Sequence, residues 1–99
     1  MTVVVTRNVA PRIRGFLASC MLEIGPGVYT IPNMNPSVRQ RIWGVCSEWF
    51  EELHEDSSIV MTWADKSMPG GQGVLSLGYP PRVLLDHEGM ILSNMKYQR

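Results

Sequence analysis

Ninety-nine residues provide for one domain with a single core, and a chain this short gains from association because it buries a modest share of its own surface. Nine basic and nine acidic residues cancel, a balance that taken alone argues against a nucleic-acid binder. The cancellation hides a polarity along the chain: residues 1–49 hold five basic groups (Arg7, Arg12, Arg14, Arg39, Arg41) against two acidic ones, and residues 50–99 hold four against seven, an asymmetry that hints at a polyanion-binding face.

The chain opens with "TVVVT" (2–6), a β-branched run that reads as a buried strand. "MTVVVT" has no basic flank and is too short for a signal peptide or a membrane span, so the expected compartment is the cytoplasm. Pro11 suits the first turn of a helix, where its missing N–H costs nothing. Ile13, Phe16, Leu17, Cys20 and Ile24 then recur at helical spacing, with Arg12, Arg14, Ser19 and Glu23 on the other side. The expected helix ends at "GPG" (25–27), and "VYT" (28–30) reads as a second strand.

"IPNMNPS" (31–37) carries two prolines and admits at most a short edge strand. Asn35 and Pro36 form an N-cap and N1 pair for a second helix. Its stripe is Val38, Ile42, Val45, Cys46, Trp49 and Leu53, and it runs out in "HEDSS" (54–58). "IVMTWA" (59–64) and "VLSLGY" (74–79) read as a hairpin joined by the loop "DKSMPGGQG" (65–73). "VLLDHEGMIL" (83–92) reads as a smaller hairpin with "DHEG" as its turn, and "SNMKYQR" has no clear pattern.

This order gives an α+β sandwich with both helices on one sheet face. The ferredoxin-like βαββαβ pattern fits if "IPNM" supplies the weak strand. The expected division is a ferredoxin-like domain over 1–82 and a C-terminal hairpin and tail over 83–99.

Most candidate chemistry falls away on inspection. Glu48, Glu51, Glu52, Glu55 and Asp56 read as a solvated face near the second helix's end. His54 and His87 have no second histidine at metal-ligand spacing. Cys20 and Cys46 lie on apolar stripes without a CxxC spacing, so reduced, buried and inert thiols are expected. "PGGQG" (69–73) lacks the lysine and following helix that a phosphate loop needs. The arginines remain. Arg12 and Arg14 fall in one first turn, about 200° apart around the helix axis. There they bracket a helix N-terminus, in a position either to grip phosphate or to solvate the surface.

The stretches "VVVTRNVAPRIRGFL…LEI…GVYT", "VRQRIW", "IVMTWA" and "LGYPPRVLLDHEG" resemble the Cas-two family of CRISPR adaptation proteins, in its type I-E branch. The resemblance runs to about residue 92. It implies a ferredoxin-like homodimer that sits between dimers of the Cas-one integrase and holds the middle of a double-stranded protospacer DNA. In that assembly Cas-one performs the integration chemistry, the Cas-two dimer serves as scaffold and ruler, and its C-terminal segment docks on Cas-one. By the same resemblance Arg12 and Arg14 match backbone-contacting arginines, Arg82 matches the second of an arginine pair whose first member is Pro81 here, and Arg39 is a further candidate. The alternative is a metal-dependent endonuclease acting on RNA or DNA, as many members have been described. That activity uses an acid at the end of the first strand, where this chain has Thr6-Arg7-Asn8. Asn8 is a poor hard-cation ligand and Arg7 would repel Mg²⁺, while Asp65 or Glu23 would have to replace the missing acid. The expectation is therefore no catalytic residue and no cofactor, with Mg²⁺ entering only under the nuclease alternative.

Overall fold

A computed structural model describes residues 1–50, 56–78, 82–87 and 90–95, the last two segments by their backbone. Strand β1 (Thr2–Arg7) leads to helix α1 (Pro11–Cys20), the hairpin β2 (Leu22–Gly25) and β3 (Val28–Ile31), and helix α2 (Pro36–Trp49). The hairpin β4 (Ser58–Ala64) and β5 (Gln72–Gly78) follows, joined through a short 3-10 turn at Pro69–Gly71. Strands β6 (Arg82–His87) and β7 (Met90–Met95) form a separate two-stranded sheet.

The main sheet has the order β2-β3-β1-β4-β5 with every neighbouring pair antiparallel. Its first four strands follow the ferredoxin-like arrangement, and β5 extends one edge. Alternation along β1 sorts the faces. Val4 is in register with Tyr29 on one side and Met61 on the other, and all three are fully buried. They pack with Ile13 and Leu17 of α1 and with Ile42 and Cys46 of α2. On the opposite face Val5 is in register with Val28 and Val60, and Val5 is 42% exposed.

The α+β class and the topology agree with the sequence, but one strand comes from a different place. Helix α1 stops at Cys20, where Met21 turns extended (φ −137°, ψ 162°). Residues 22–25, expected as the helix's last turn, form β2 instead. The reason is the hairpin turn that follows. Gly27 adopts φ +74° and lies against Thr6, whose backbone N–H and hydroxyl both donate to the Gly27 carbonyl, at 2.7 and 3.1 Å. A side chain at position 27 would collide with Thr6, so "GPG" closes a hairpin against β1 and not a helix. Ile24 is accordingly 61% exposed and lies off the core. "IPNM" does not supply the weak strand, because β3 ends at Ile31 and residues 32–34 belong to no strand.

Three smaller differences follow from register. Gln72 and Gly73, expected in a loop, are already paired with Ala64 and Trp63. Asp86 and His87, expected in a turn, pair with Ile91 and Met90. The second hairpin also runs on through Ser93–Met95, which had shown no pattern. Helix α2 has the expected Asn35 cap, whose side chain accepts from the Ser37 N–H at 2.7 Å. It ends at Trp49, and Leu53, Glu51, Glu52, His54 and Glu55 lie outside the described residues.

Both thiols are free, as expected. Cys46 is fully buried, and that burial, reinforced by Cys20, pushes its pKa up to about 11. Burial also raises Cys20. Neither is a reactive thiolate near neutral pH.

Candidate nucleic-acid interface

The C-terminal end of β1 is held from both sides. Asn8 takes a left-handed conformation (φ +50°), which asparagine tolerates better than most residues. Its carbonyl accepts a 2.8 Å hydrogen bond from the Ser57 hydroxyl, a fully buried group just ahead of β4. Val9 follows as a buried anchor at 6% exposure. The turn thus delivers Ala10 and Pro11 to the start of α1 in a fixed place.

That start is unusually bare. Ala10 occupies the N-cap without a side-chain hydrogen bond, and the first turn contains no acid. The partial positive charge of the helix end is met by no capping side chain and by no acid in its own first turn. Arg12 and Arg14, both exposed, add two full charges. They point to different neighbours, as their angular separation requires. Arg12 lies over the Trp49 ring at 5.2 Å from its centroid, at the end of α2. Arg14 lies near enough to Tyr29 to act on it electrostatically, and makes no ion pair among the described residues.

Tyr29 records that neighbourhood. Burial raises its pKa first, the Glu23 carboxylate adds to the rise, and Arg14 opposes it. Its buried hydroxyl makes no hydrogen bond of good geometry, with Glu23 the nearby carboxylate that acts on it. An unpaired buried hydroxyl is destabilising relative to an apolar group of the same shape. Tyr29→Phe is therefore expected to leave the melting temperature unchanged or raise it. It should also remove a stability loss that sets in above about pH 10, where the unfolded chain's tyrosine ionises and the folded one resists. A lowered melting temperature in calorimetry at neutral pH would count against this account.

The other candidates sit elsewhere. Arg7 forms an exposed 3.7 Å ion pair with Asp56, a contact of small energetic consequence. Arg39 stacks over Trp63 at 4.2 Å. Trp63 is in register with Thr2, the first residue of β1, so Arg39 occupies the opposite end of the sheet from Arg12 and Arg14. Five strand steps separate the two ends, roughly 17 Å. Arg39 therefore does not join the Arg12–Arg14 constellation. Arg82 opens β6, and its side chain lies outside the described residues.

A hard divalent cation would need several oxygen ligands at the end of β1. The described residues there are Thr6, Arg7, Asn8, Asp56 and Ser57. The one carboxylate is paired with Arg7, and the Asn8 carbonyl is taken by Ser57. This donor set does not fit the metal. Asp65 cannot substitute, because it lies beyond Trp63 at the far end of the sheet. There Ser67, through its hydroxyl and backbone, and then Trp63 and Arg39 hold its pKa below the ordinary carboxylate value. Glu23 accepts from the Gly27 N–H at 3.2 Å on the hairpin side. Among the described residues no three His, Cys, Asp or Glu side chains converge to hold a metal ion.

Trp49 is the contributor that its spacing alone did not disclose. Its position on the α2 stripe predicts a core residue, whereas it is half-buried and meets Arg12 with one part of its ring and Phe16 with another (centroids 5.7 Å, 69° between planes). The available signal was topological: the second helix of a ferredoxin-like pair ends beside the start of the first.

No helix among the described residues is long and apolar enough to cross a membrane. A family model described as "CRISPR-associated protein (Cas_Cas2CT1978)" matches residues 1–92, a span that takes in the whole ferredoxin-like sheet and most of the terminal hairpin. The chain therefore belongs to the Cas-two family of CRISPR-associated proteins.

Proposed function

We propose that this chain is a non-catalytic, DNA-binding scaffold subunit of the CRISPR adaptation complex, of the type I-E kind. In this reading it works in the cytoplasm as a homodimer, holds the middle of a double-stranded protospacer, and is flanked by the Cas-one integrase. The observation that carries the reading is the bare N-terminus of α1, bracketed by Arg12 and Arg14, beside a β1 end where Arg7 and Asn8 stand in place of a carboxylate. Such a site attracts phosphate by its positive charge. Among the described residues it supplies no ligand set for the metal-assisted hydrolysis of the nuclease alternative, and in this reading the subunit needs no Mg²⁺ of its own.

Two further features support the assembly. The row Val5, Val28 and Val60 gives the sheet an apolar outer face suited to a second copy. The hairpin β6–β7 forms a sheet of its own, and the C-terminal segment that holds it is the part proposed to dock on Cas-one. Arg82 at its start remains a phosphate-binding candidate by the family resemblance, and Arg39 serves a different surface.

The test is to purify the chain with and without its neighbouring integrase and assay spacer insertion and cleavage. Insertion should require both proteins, and the chain alone should leave DNA and RNA intact with Mg²⁺ or Mn²⁺ as it does with EDTA. Metal-dependent cleavage abolished by substituting Arg7 or Asn8, or insertion unaffected by omission of this chain, would overturn the proposal.

A further inference from the structure

The start of α1 and the end of α2 lie side by side at one end of the sheet, because the helices run in opposite directions over it. This places a residue that no phosphate-binding pattern would select, Trp49, directly against Arg12. We infer that Trp49 is a positioning residue for Arg12: an aromatic platform that holds the guanidinium in place before DNA arrives. The inference rests on the DNA-binding reading above.

Three observations support it. First, the Arg12 guanidinium carbon lies 5.2 Å from the centre of the Trp49 ring, within the range of a cation–π contact. Such a contact restrains the long side chain against the ring while the guanidinium keeps its full charge. Second, the platform is itself fixed. Phe16, one turn further along α1, meets Trp49 edge-on at 5.7 Å, so the Trp49 ring is gripped by the helix that carries Arg12. Third, the field at the two helix ends suits the placement. A cation in the first turn of α1 opposes that helix's dipole, while Trp49 is the last residue of α2, where partial negative charge gathers. The neighbouring helix end thus offsets a placement that α1 alone disfavours. Among the described residues Arg14 has no such platform.

A long arginine side chain loses rotamer freedom when it binds phosphate, and a preformed stack removes part of that loss. Trp49→Leu should therefore weaken duplex binding about threefold to tenfold without changing the number of phosphates contacted. The slope of log K against log salt should stay at its wild-type value, whereas Arg12→Ala should reduce it by about 0.9 per protomer. Trp49→Phe, which keeps an aromatic face, should retain most of the affinity. In an Arg12→Ala background Trp49→Leu should have no further effect on binding. A spectroscopic readout needs no DNA: the Arg12 side-chain protons of the free protein should be shifted upfield by the ring, and Trp49→Leu should abolish the shift.

The outcomes separate cleanly. Binding weakened by Arg12→Ala but untouched by Trp49→Leu overturns the positioning role and leaves the DNA-binding reading intact. An equal loss from Trp49→Leu with and without Arg12 also overturns it, since the tryptophan would then act through the fold. Binding that survives substitution of Arg12 and Arg14 together overturns both. Melting temperatures of all variants, with Trp49→Phe as the milder change, show that each comparison is made on folded protein.

Discussion

Replacing Arg12 and Arg14 together by alanine is expected to reduce duplex affinity at least tenfold at about 0.15 M salt and to flatten its salt dependence. Each lost phosphate contact removes about 0.9 from the slope of log K against log salt, so the pair removes about 1.8 per protomer and twice that in a dimer. The loss should be similar for duplexes of unrelated sequence, because contacts to phosphate carry no base information. Both side chains are exposed and both oppose the α1 dipole. Their removal should therefore leave the melting temperature within a few degrees of wild type, apart from the loss of the Arg12–Trp49 stack. Arg39→Ala is the internal comparison. It sits at the other end of the sheet over Trp63 and should alter binding less than either Arg12→Ala or Arg14→Ala. Fluorescence anisotropy titrations at four salt concentrations would read all of these values. An unchanged slope for the double variant would remove the first turn of α1 from the interface.

The chain's zero net charge makes this dependence informative. A protein with a large basic excess binds duplex through its whole surface, and two arginines then matter little. Here the cationic groups are few and the acids are spread over the second half of the sequence, so attraction must come from local placement. In the proposed reading the two arginines supply it, at a helix end that itself carries partial positive charge.

The sequence carried the fold class, the helix starts and the placement of Arg12 and Arg14, because each rests on local chemistry. Pro11 and the Asn35–Pro36 pair mark helix N-termini whatever surrounds them. It did not disclose β2, because "LEIG" continues the apolar spacing of α1 and nothing within it shows that the chain has turned. What decides the matter is distant: the approach of Gly27 to Thr6, which converts "GPG" from a helix stop into a hairpin. The same limit applies at the interface. Arg39 and Arg12 look equivalent as arginines near helix starts, yet antiparallel helices carry those starts to opposite ends of the sheet. Trp49 had the spacing of a core residue, and only the packing of α2 beside α1 gives it a charged neighbour.

The largest stability effect is expected from a residue outside the interface. Gly78→Ala should destabilise the fold by about 3 kcal/mol or more, lowering the melting temperature by roughly 12–20 °C for a domain of this size. Gly78 is in register with Ser58 at the end of the β4–β5 ladder and adopts φ +105°, a conformation that side chains rarely take. A Cβ there would overlap the Ser57 carbonyl oxygen and crowd the Ser58 Cα at 2.7 Å. These are backbone atoms and cannot move aside as a flexible side chain would. Ser57 is also the residue whose hydroxyl holds the Asn8 carbonyl, so displacing it loosens the turn that delivers Arg12 and Arg14. The variant should consequently bind duplex more weakly even well below its melting temperature, with a normal salt slope, because the charges remain while their placement loosens. Gly15→Ala supplies the contrast. Gly15 lies inside α1 with nothing within 4 Å of the position a Cβ would take. Alanine there should raise stability by about 0.5–1 kcal/mol through helix propensity and the unfolded state. Thermal unfolding of the two variants side by side reads both signs in one experiment, and a Gly78→Ala protein that melts with wild type would refute the packing of β5 against the start of β4.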